Sequence, residues 1–322
     1  MCWRTLFGLG VIALAYYYNQ SAFHRGMRTL INFRKPTSWE IGLNLRRVIE
    51  STNVTGPWPF EQGNFAVYAA NGGPGEMLSR FAVLDTGESE KHPVLAFAVF
   101  DGFNCSYVAN AAERQLLPII VARIRDKLPS SRKKLENVVK NELLAFDRKI
   151  MLEGSPDSLC GTTALIAIKF GEFFSIFNLG NNRAVTAFRF NMDEIKEQTP
   201  EKDRDVIEKA GGSVQMVNGT WLVGGLVPVS RALGVSRFKM KGWMGVRPEA
   251  SHYNSTDKST EYVILATSAL WKNMSSEEAI DIVDEHIKES FFGAKQLVWK
   301  ALERGANSSL CVLIIKFKKE EE

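Results

Sequence analysis

The sequence predicts an α+β fold in which two layers of sheet form a sandwich with pairs of helices outside, in one domain over residues 40–318. Short segments rich in Val, Ile, Phe and Tyr, bounded by Gly, Asn or Asp, recur along the chain and are typical of strands. Longer segments between them carry apolar residues at helical spacing. Because no long linker or internal repeat divides this region, one domain is expected.

Eight strands are predicted from these short segments. Several are apolar almost throughout, as expected for strands that are covered on both faces. The sequences FGEFF (170–174) and GNNRAV (180–185) are predicted to close hairpins, since Gly and Asn supply positive φ. The predicted strands cover residues 64–70, 80–85, 94–101, 162–170, 173–180, 183–190, 261–268 and 310–317.

Four helices are predicted from the apolar spacing. Ser275 or Ser276 can cap the third, with Glu277 and Glu278 in its first turn, where acidic side chains favour a helix start. The predicted helices cover residues 107–128, 131–153, 275–291 and 292–305.

Residues 1–35 are predicted to form an anchor or targeting segment. Residues 6–18 are apolar and uncharged, and four basic residues follow before the first acid, Glu40. This resembles a signal anchor that attaches residues 2–18 to a membrane, although it is shorter than the roughly 20 residues that span hydrocarbon. The positive-inside rule then keeps the domain on the cytoplasmic side. Mitochondrial import is the alternative; a cleaved signal peptide or a buried helix also remains open.

The N-x-S/T sequons point towards the secretory lumen instead. Roughly two or three would arise by chance at ordinary Ser and Thr usage. Because Asn104 and Asn307 fall at strand ends that are predicted to converge on one crowded site, the flanking charge is given more weight. The seven sequons begin at Asn19, Asn53, Asn104, Asn218, Asn254, Asn273 and Asn307.

Composition limits the remaining classes of function. With 322 residues, 45% hydrophobic and 24% charged, the chain is an ordinary globular protein. Its net charge of +4 is spread along the chain and accompanies no nucleic-acid motif, so no nucleic-acid partner is expected. The four cysteines lack the spacing of a zinc site or a disulfide framework, so reduced thiols are expected.

The sequence VFDGFN (99–104) places Asp101 at the end of a predicted strand. A carboxylate at such a turn can reach a divalent cation. A single carboxylate, however, does not hold a pair of metal ions.

Seven segments, in order over most of residues 60–317, resemble the metal-dependent type 2C protein phosphatase (PPM) family. The segments are AVFDGFNCSYVANAAERQLL, CGTTALIAI, FSIFNLGNNRAV, TPEKDRDVIEKAGGSVQ, LVGGLVPVSRALGV, VILATSALWKNMSSEEAIDIV and NSSLCVLIIKF. The corresponding family patterns are VYDGHGG, SGSTA, ANVGDSRAV, a helix ending in Gly-Gly, LavSRalGD, LASDGLWDV and DNiTviVV. The resemblance implies a PPM-type β-sandwich of two antiparallel sheets flanked by pairs of helices. It also implies a site where carboxylates hold two Mg²⁺ or Mn²⁺ ions and a bridging water attacks a phosphoryl group.

Most residues implied as metal ligands are absent. Asp101 and Gly102 match, and they are retained as a remnant of the metal site. This chain differs from the family pattern at several places. It has Leu78 and Ser79 where the pattern has Glu-Asp, Phe103 and Asn104 where it has His-Gly, and Asn181 and Val235 where it has two separate aspartates. It also has Thr267, Ser268 and Ala269 where the pattern has Ser-Asp-Gly, and Asn307 and Ser308 where it has Asp-Asn. The phosphate-contacting Arg is replaced near Pro74.

The residues that do match the family pattern are ones that shape turns and core packing. Asp101 is expected to cap its own turn rather than bind metal. Arg183 and Arg231 are expected to form structural ion pairs or carbonyl contacts rather than to bind phosphate. The matching scaffold positions are Gly161, Thr162, Thr163, Ala164, Gly180, Arg183, Ala184, Gly211, Gly212, Ser230, Arg231, Leu233 and Gly234.

Two main classes of function follow. The favoured hypothesis is a catalytically inactive, phosphatase-like protein, a pseudophosphatase, that needs no cofactor and binds a protein partner such as a kinase or a phosphoprotein. The alternative is an active Mg²⁺- or Mn²⁺-dependent Ser/Thr phosphatase with Glu76, Asp85 or Glu88 as replacement ligands. A membrane-tethered domain of mainly structural use is the third possibility.

Overall fold

Two six-stranded antiparallel sheets form the centre of the molecule. The computed structural model describes residues 46–50, 57–87, 90–257 and 259–317, with residues 46–50 described by their backbone alone. The first sheet has the order β1 (Arg46–Glu50), β4 (Arg80–Asp85), β5 (Val94–Phe100), β8 (Ala164–Phe170), β9 (Phe173–Leu179) and β15 (Glu249–Asn254). The second has the order β11 (Met192–Ile195), β10 (Arg183–Phe188), β16 (Thr260–Ala266), β17 (Ser309–Lys316), β3 (Phe65–Asn71) and β2 (Trp58–Gln62).

The inner strands of both sheets are apolar almost throughout because both of their faces are covered. In β5, Phe97 and Val99 point into the core between the two sheets. The alternate residues Ala96, Ala98 and Phe100 pack in the cluster beneath the helices. The predicted α+β sandwich of antiparallel sheets flanked by helices is confirmed.

Helices cover the outer face of each sheet. Over the first sheet lie α1 (Tyr107–Ala111), a π-helical turn (Ala112–Leu116), α2 (Leu117–Lys127) and α3 (Arg132–Glu153). Over the second lie α7 (Ser276–His286), a 3₁₀ turn (Ser290–Gly293) and α8 (Ala294–Glu303).

Serine side chains cap two of the long helices at their N-termini. Ser131 accepts a hydrogen bond from the Lys134 amide at the start of α3. Of the two candidate caps of α7, Ser275 is the cap, since its Oγ accepts from the Glu278 amide. The helix predicted over residues 107–128 is interrupted by a π-helical turn, and Glu113 in that turn is buried.

A small lobe lies beside the sandwich and has a hydrophobic cluster of its own. It contains α4 (Arg204–Lys209), the hairpin of β12 (Val214–Val217) and β13 (Thr220–Val223), and α5 (Ser236–Lys239). A three-stranded sheet of β6 (Gly102–Phe103), β7 (Gly161–Thr162) and β14 (Leu233–Gly234) connects this lobe to the sandwich. The short helix α6 (Ser268–Trp271) follows β16.

One of the two predicted hairpins is wrong. The turn at Gly171–Glu172 does join the paired strands β8 and β9. The turn at Gly180 instead passes from β9 in the first sheet to β10 in the second. Gly180 has a φ of +111°, and a Cβ there would lie 2.4 Å from the Thr163 side chain, so glycine is required for the crossing.

The expectation of reduced cysteines is wrong for one pair. Cys105 and Cys160 form a disulfide with their Cα atoms 5.3 Å apart, within the usual range for such a bond. They are 55 residues apart in sequence and meet because β6 and β7 pair next to them. Cys311 is free and buried.

The predicted segment 1–35 lies outside the described residues, as do Asn19, Asn53 and Glu88. Within the part of the chain that the structure describes, no helix is long and apolar enough to cross a bilayer. The domain boundaries at 1–35 and 40–318 therefore stay predictions.

A buried ion pair ties α3 to the three-stranded sheet. Lys239 Nζ lies 2.8 Å from Asp147 Oδ2, and both side chains are only 6% exposed. The other carboxylate oxygen accepts the Gly234 amide at 2.8 Å, and Lys239 also donates to the Ala232 carbonyl. Burial lowers the pKa of Lys239, and the Asp147 carboxylate opposes that shift.

We expect Asp147→Asn to destabilise the protein by about 3–5 kcal/mol, because it leaves the Lys239 ammonium buried without a counter-charge. Asparagine keeps the acceptor for Gly234, so adding Lys239→Met should restore most of the stability. Urea unfolding of the native, single and double variants measures both effects. Equal stability of Asp147→Asn and the native protein would contradict this role of the pair.

Candidate functional site

Asp101 lies where the strand ends of the two sheets meet. It follows β5 directly, and its backbone carbonyl accepts the Thr163 amide at 3.0 Å. Ser79 Oγ donates to its Oδ1 and Ser268 Oγ donates to its Oδ2, each at 2.9 Å. The expectation that Asp101 caps its own turn is therefore wrong, since its carboxylate joins the segment before β4 to the start of α6.

The Asp101 carboxylate is held in a desolvated environment. Burial raises its pKa above the usual range, and the hydroxyls of Ser79 and Ser268 and the charge of Lys272 oppose this shift only in part. In the folded protein the ionised form is therefore disfavoured relative to the unfolded chain. Two hydroxyl donors satisfy the carboxylate without a metal ion.

Gly102 has a packing role at this site. A Cβ on Gly102 would lie 2.5 Å from the Leu78 carbonyl oxygen and 3.3 Å from the Ala109 side chain. Only glycine lets the chain after Asp101 pass so close to the segment that carries Ser79. The match of Gly102 to the metal-site pattern thus has a steric explanation.

Further hydrogen bonds hold the segment that carries Ser79. The Leu78 amide donates to Ser309 Oγ at 2.9 Å. The Arg80 guanidinium, 5% exposed, donates to the Met77 and Ser79 carbonyls at 2.6 and 2.8 Å. These contacts fix the backbone on both sides of Ser79, so its hydroxyl is held towards Asp101.

The acids proposed as replacement ligands do not gather around Asp101. Glu76 lies 3.5 Å from Arg80 and is 44% exposed. Asp85 is at the far end of β4, roughly 17 Å along the strand from Arg80 at about 3.4 Å per residue, and it accepts the Gly87 amide. Asn307 is exposed, and the side chains that donate to the Asp101 carboxylate are those of Ser79 and Ser268 instead.

Arg231 forms the structural ion pair that was predicted for it. Its Nε and Nη2 each donate to Asp203 at 2.8 Å in a bidentate arrangement. Although burial raises the pKa of Asp203, hydrogen bonds from Arg231 and Ser230 hold it below its usual value.

Arg183 is likewise engaged by acids. Its Nε donates to Glu197 at 3.1 Å, and its Nη1 donates to Ser276 and lies 3.7 Å from Glu194. The guanidinium also stacks over the Trp271 ring. Neither Arg183 nor Arg231 is available as an unpaired phosphate ligand.

A cleft of about 200 Å³ adjoins the Asp101 cluster through Ser268. Two tryptophans and two prolines form much of its wall, and Lys272 is exposed at its edge. Lys272 aligns with the second Asp of the family pattern LASDGLWDV, so the charge is reversed at this position. The lining includes Arg183, Pro200, Trp221, Pro228, Trp271 and Lys272.

Comparison with known proteins identifies a family over the same part of the chain. The family profile described as Protein phosphatase 2C matches residues 64–310. The chain belongs to the protein phosphatase 2C family. Among curated relatives, bovine Protein phosphatase 1L is 29% identical over 272 residues, which cover 81% of this chain and 74% of the relative.

Two solved structures show the same fold. The serine-threonine phosphatase 2C of Toxoplasma gondii superposes with a TM-score of 0.69 at 20% identity, covering 84% of this chain and 99% of that protein. A sex determining protein of C. elegans superposes with a TM-score of 0.70 at 18% identity, covering 80% of this chain and 66% of that protein.

The residues at this position do not fit the Mg²⁺ or Mn²⁺ pair that the protein phosphatase 2C family implies. Such hard cations need several anionic oxygens. Here the hydroxyls of Ser79 and Ser268 point their protons at the one carboxylate of Asp101. Among the described residues, no three His, Cys, Asp or Glu side chains are grouped so that they could hold a metal ion.

Sequence reasoning missed two features of the site. The reversed charge at Lys272 could have been predicted, because the family pattern has Asp at that position. The Cys105–Cys160 disulfide had no such signal, since only the pairing of β6 with β7 brings the two residues together.

We expect Asp101→Asn to leave the fold intact and to keep or raise the thermal midpoint at neutral pH. The amide can accept from one serine and donate to the other, and no charge is buried. In the native protein, the destabilisation from ionised Asp101 is complete above its raised pKa and is relieved as the pH falls towards the unfolded-state value.

Thermal unfolding across acidic and neutral pH compares Asp101→Asn with the native protein. The difference between them should be largest at neutral pH and shrink as the pH falls. A variant that is markedly less stable at neutral pH would show that the Asp101 charge is stabilising.

Proposed function

We propose that this member of the protein phosphatase 2C family is a pseudophosphatase that binds a protein partner without hydrolysing phosphate. The supporting observation is that both carboxylate oxygens of Asp101 accept hydrogen bonds from the hydroxyls of Ser79 and Ser268. These serines stand at two positions where the family pattern has acidic ligands. Hydrolysis by two metal ions needs those acids to hold the ions that activate water.

The adjoining cleft provides a binding surface for the partner. Its tryptophan and proline side chains offer apolar area, while Lys272 offers a positive charge beside Ser268. Arg183 is already paired with Glu197, so Lys272 is the cation that we assign to partner binding. An acidic or phosphorylated segment of a kinase or another phosphoprotein has the complementary chemistry.

An active phosphatase with atypical ligands is the second candidate, favoured by the family membership alone. The side-chain positions weigh against it. Asp85 lies at the wrong end of β4, and Glu76 faces Arg80. Neither of these two acids supplies a second carboxylate beside Asp101.

Membrane attachment through residues 2–18 remains part of the proposal. The apolar segment and its basic flank support it. The side of the membrane that the domain faces decides which class of partner it can meet.

We expect the native protein to show no tight Mn²⁺ or Mg²⁺ site and no metal-dependent hydrolysis of a small phosphoester. One carboxylate cannot offset the dehydration of two divalent ions. Titration calorimetry measures metal binding and a phosphatase assay with the small phosphoester measures hydrolysis, with Asp101→Ala as the matched variant. Hydrolysis that depends on Mn²⁺ and disappears in Asp101→Ala would refute the pseudophosphatase and establish the enzyme.

Restoring the acidic residues together should restore some divalent-ion binding. The set is Ser79→Asp, Ser268→Asp, Ala269→Gly and Asn307→Asp around native Asp101. Each added carboxylate alone should do little, because it brings mainly repulsion with Asp101, whereas the complete set can be neutralised by bound ions.

Lys272→Asp should strengthen ion binding further when it is added to this set, since it replaces a repelling cation by an acid. Calorimetry with Mn²⁺ compares the set with and without Lys272→Asp. Asp101→Ala within the complete set is the control and should abolish the recovered binding. If the complete set is folded and still binds no Mn²⁺, missing carboxylates are not the reason for the lost site.

A further inference from the structure

Asn254 is a sequon asparagine that lies far from the Asp101 site. It ends β15 and pairs with Phe173, the first residue of β9. The other end of β9 leads to Gly180, beside Thr163 of the Asp101 region. A large group on Asn254 would therefore leave both Asp101 and the cleft uncovered.

The side chain of Asn254 is arranged as an acceptor of a sugar. Its Oδ1 accepts from the Thr256 amide at 3.0 Å and from the Thr256 hydroxyl at 2.8 Å. Both residues are exposed, and Asn254 Nδ2 donates to no described residue. The hydroxyl that defines an N-x-S/T sequon is thus already beside the amide that would be modified.

The other described sequons are less suited. The side-chain amide of Asn104 donates to the Leu159 carbonyl, and that of Asn273 donates to the Ala269 carbonyl, each at 2.8 Å. Asn218 adjoins Gly219 and Thr220 of the cleft. Asn307 lies two residues before Ser309, whose hydroxyl supports the segment carrying Ser79.

The disulfide is a second, independent observation that points to the same compartment. The bond between Cys105 and Cys160 joins two loops next to the paired strands β6 and β7. Structural disulfides persist in secreted proteins and in the lumen of the endoplasmic reticulum and are rare in the cytosol. A lumenal domain would account for both this bond and the excess of sequons.

We propose that the domain faces the lumen of the secretory pathway and carries an N-linked glycan on Asn254. The donor is a lipid-linked oligosaccharide pyrophosphate. A bond forms between Asn254 Nδ2 and the anomeric carbon of the sugar, the bond from that carbon to the pyrophosphate oxygen breaks, and the amide loses one proton. This orientation is opposite to the one that the basic flank predicts, so the two hypotheses exclude each other.

The test expresses the full chain in a eukaryotic cell and treats it with peptide-N-glycosidase in ¹⁸O-labelled water. That treatment converts a glycosylated Asn into ¹⁸O-labelled Asp, which mass spectrometry locates. We expect the label at position 254. It should be lost in Asn254→Gln and Thr256→Ala and retained in Thr256→Ser, which keeps the hydroxyl.

A C-terminal tag that contains an additional sequon reports the compartment independently of the fold. Glycan on both the tag and Asn254, with Cys105 and Cys160 resistant to alkylation until reduction, supports the proposal. Glycan on the tag but not on Asn254 overturns the site. Absence of glycan from both overturns the lumenal orientation and favours the cytoplasmic domain.

Discussion

The face-to-face packing of the two sheets is the constraint on which the rest of the molecule depends. Phe97 and Val99 of β5 pack between the sheets, while Ala98 and Phe100 of the same strand pack under the helices, so β5 cannot shift its register without exposing one of these cores. Asp101 follows this strand directly. Its position is therefore set by a core that does not depend on the chemistry of the site.

A fixed position for Asp101 explains how the scaffold can persist while the acids around it are absent. A partly buried carboxylate still needs donors, and Ser79 and Ser268 supply one to each oxygen. Serine is smaller than aspartate and can serve here because its hydroxyl donates a hydrogen bond where a second carboxylate would repel Asp101. The bond network of the site is thus complete with neutral partners, which is consistent with the proposed binding role.

The sequence was sufficient for features that depend on local pattern. The eight predicted strands and four predicted helices follow from apolar spacing, and a cap at Ser275 or Ser276 follows from their place before two glutamates. The edge strands of both sheets, β1, β15, β11 and β2, were not predicted. Contacts between distant segments were not predictable. Lys239 and Asp147 are 92 residues apart, and nothing in either local sequence indicates the other. Gly180 was misread because positive φ suits a hairpin turn and a crossing between sheets equally well. The resemblance located Ser79 and Ser268, but only the fold shows that they bind Asp101.

Loss of the acids also changes what stabilises this part of the fold. A cluster of carboxylates at the strand ends would be destabilising unless cations neutralised it, so such a fold gains stability from its metal ions. In this chain the serines replace repulsion with hydrogen bonds, and Lys272 adds a positive charge near the single remaining acid. Under the proposed function, the sandwich reaches its folded state without divalent ions. Selection for a stable binding surface would favour such exchanges, since substitutions that remove an active site commonly stabilise a protein. Under the proposed function, the same serines that weigh against hydrolysis also make the binding surface independent of metal supply.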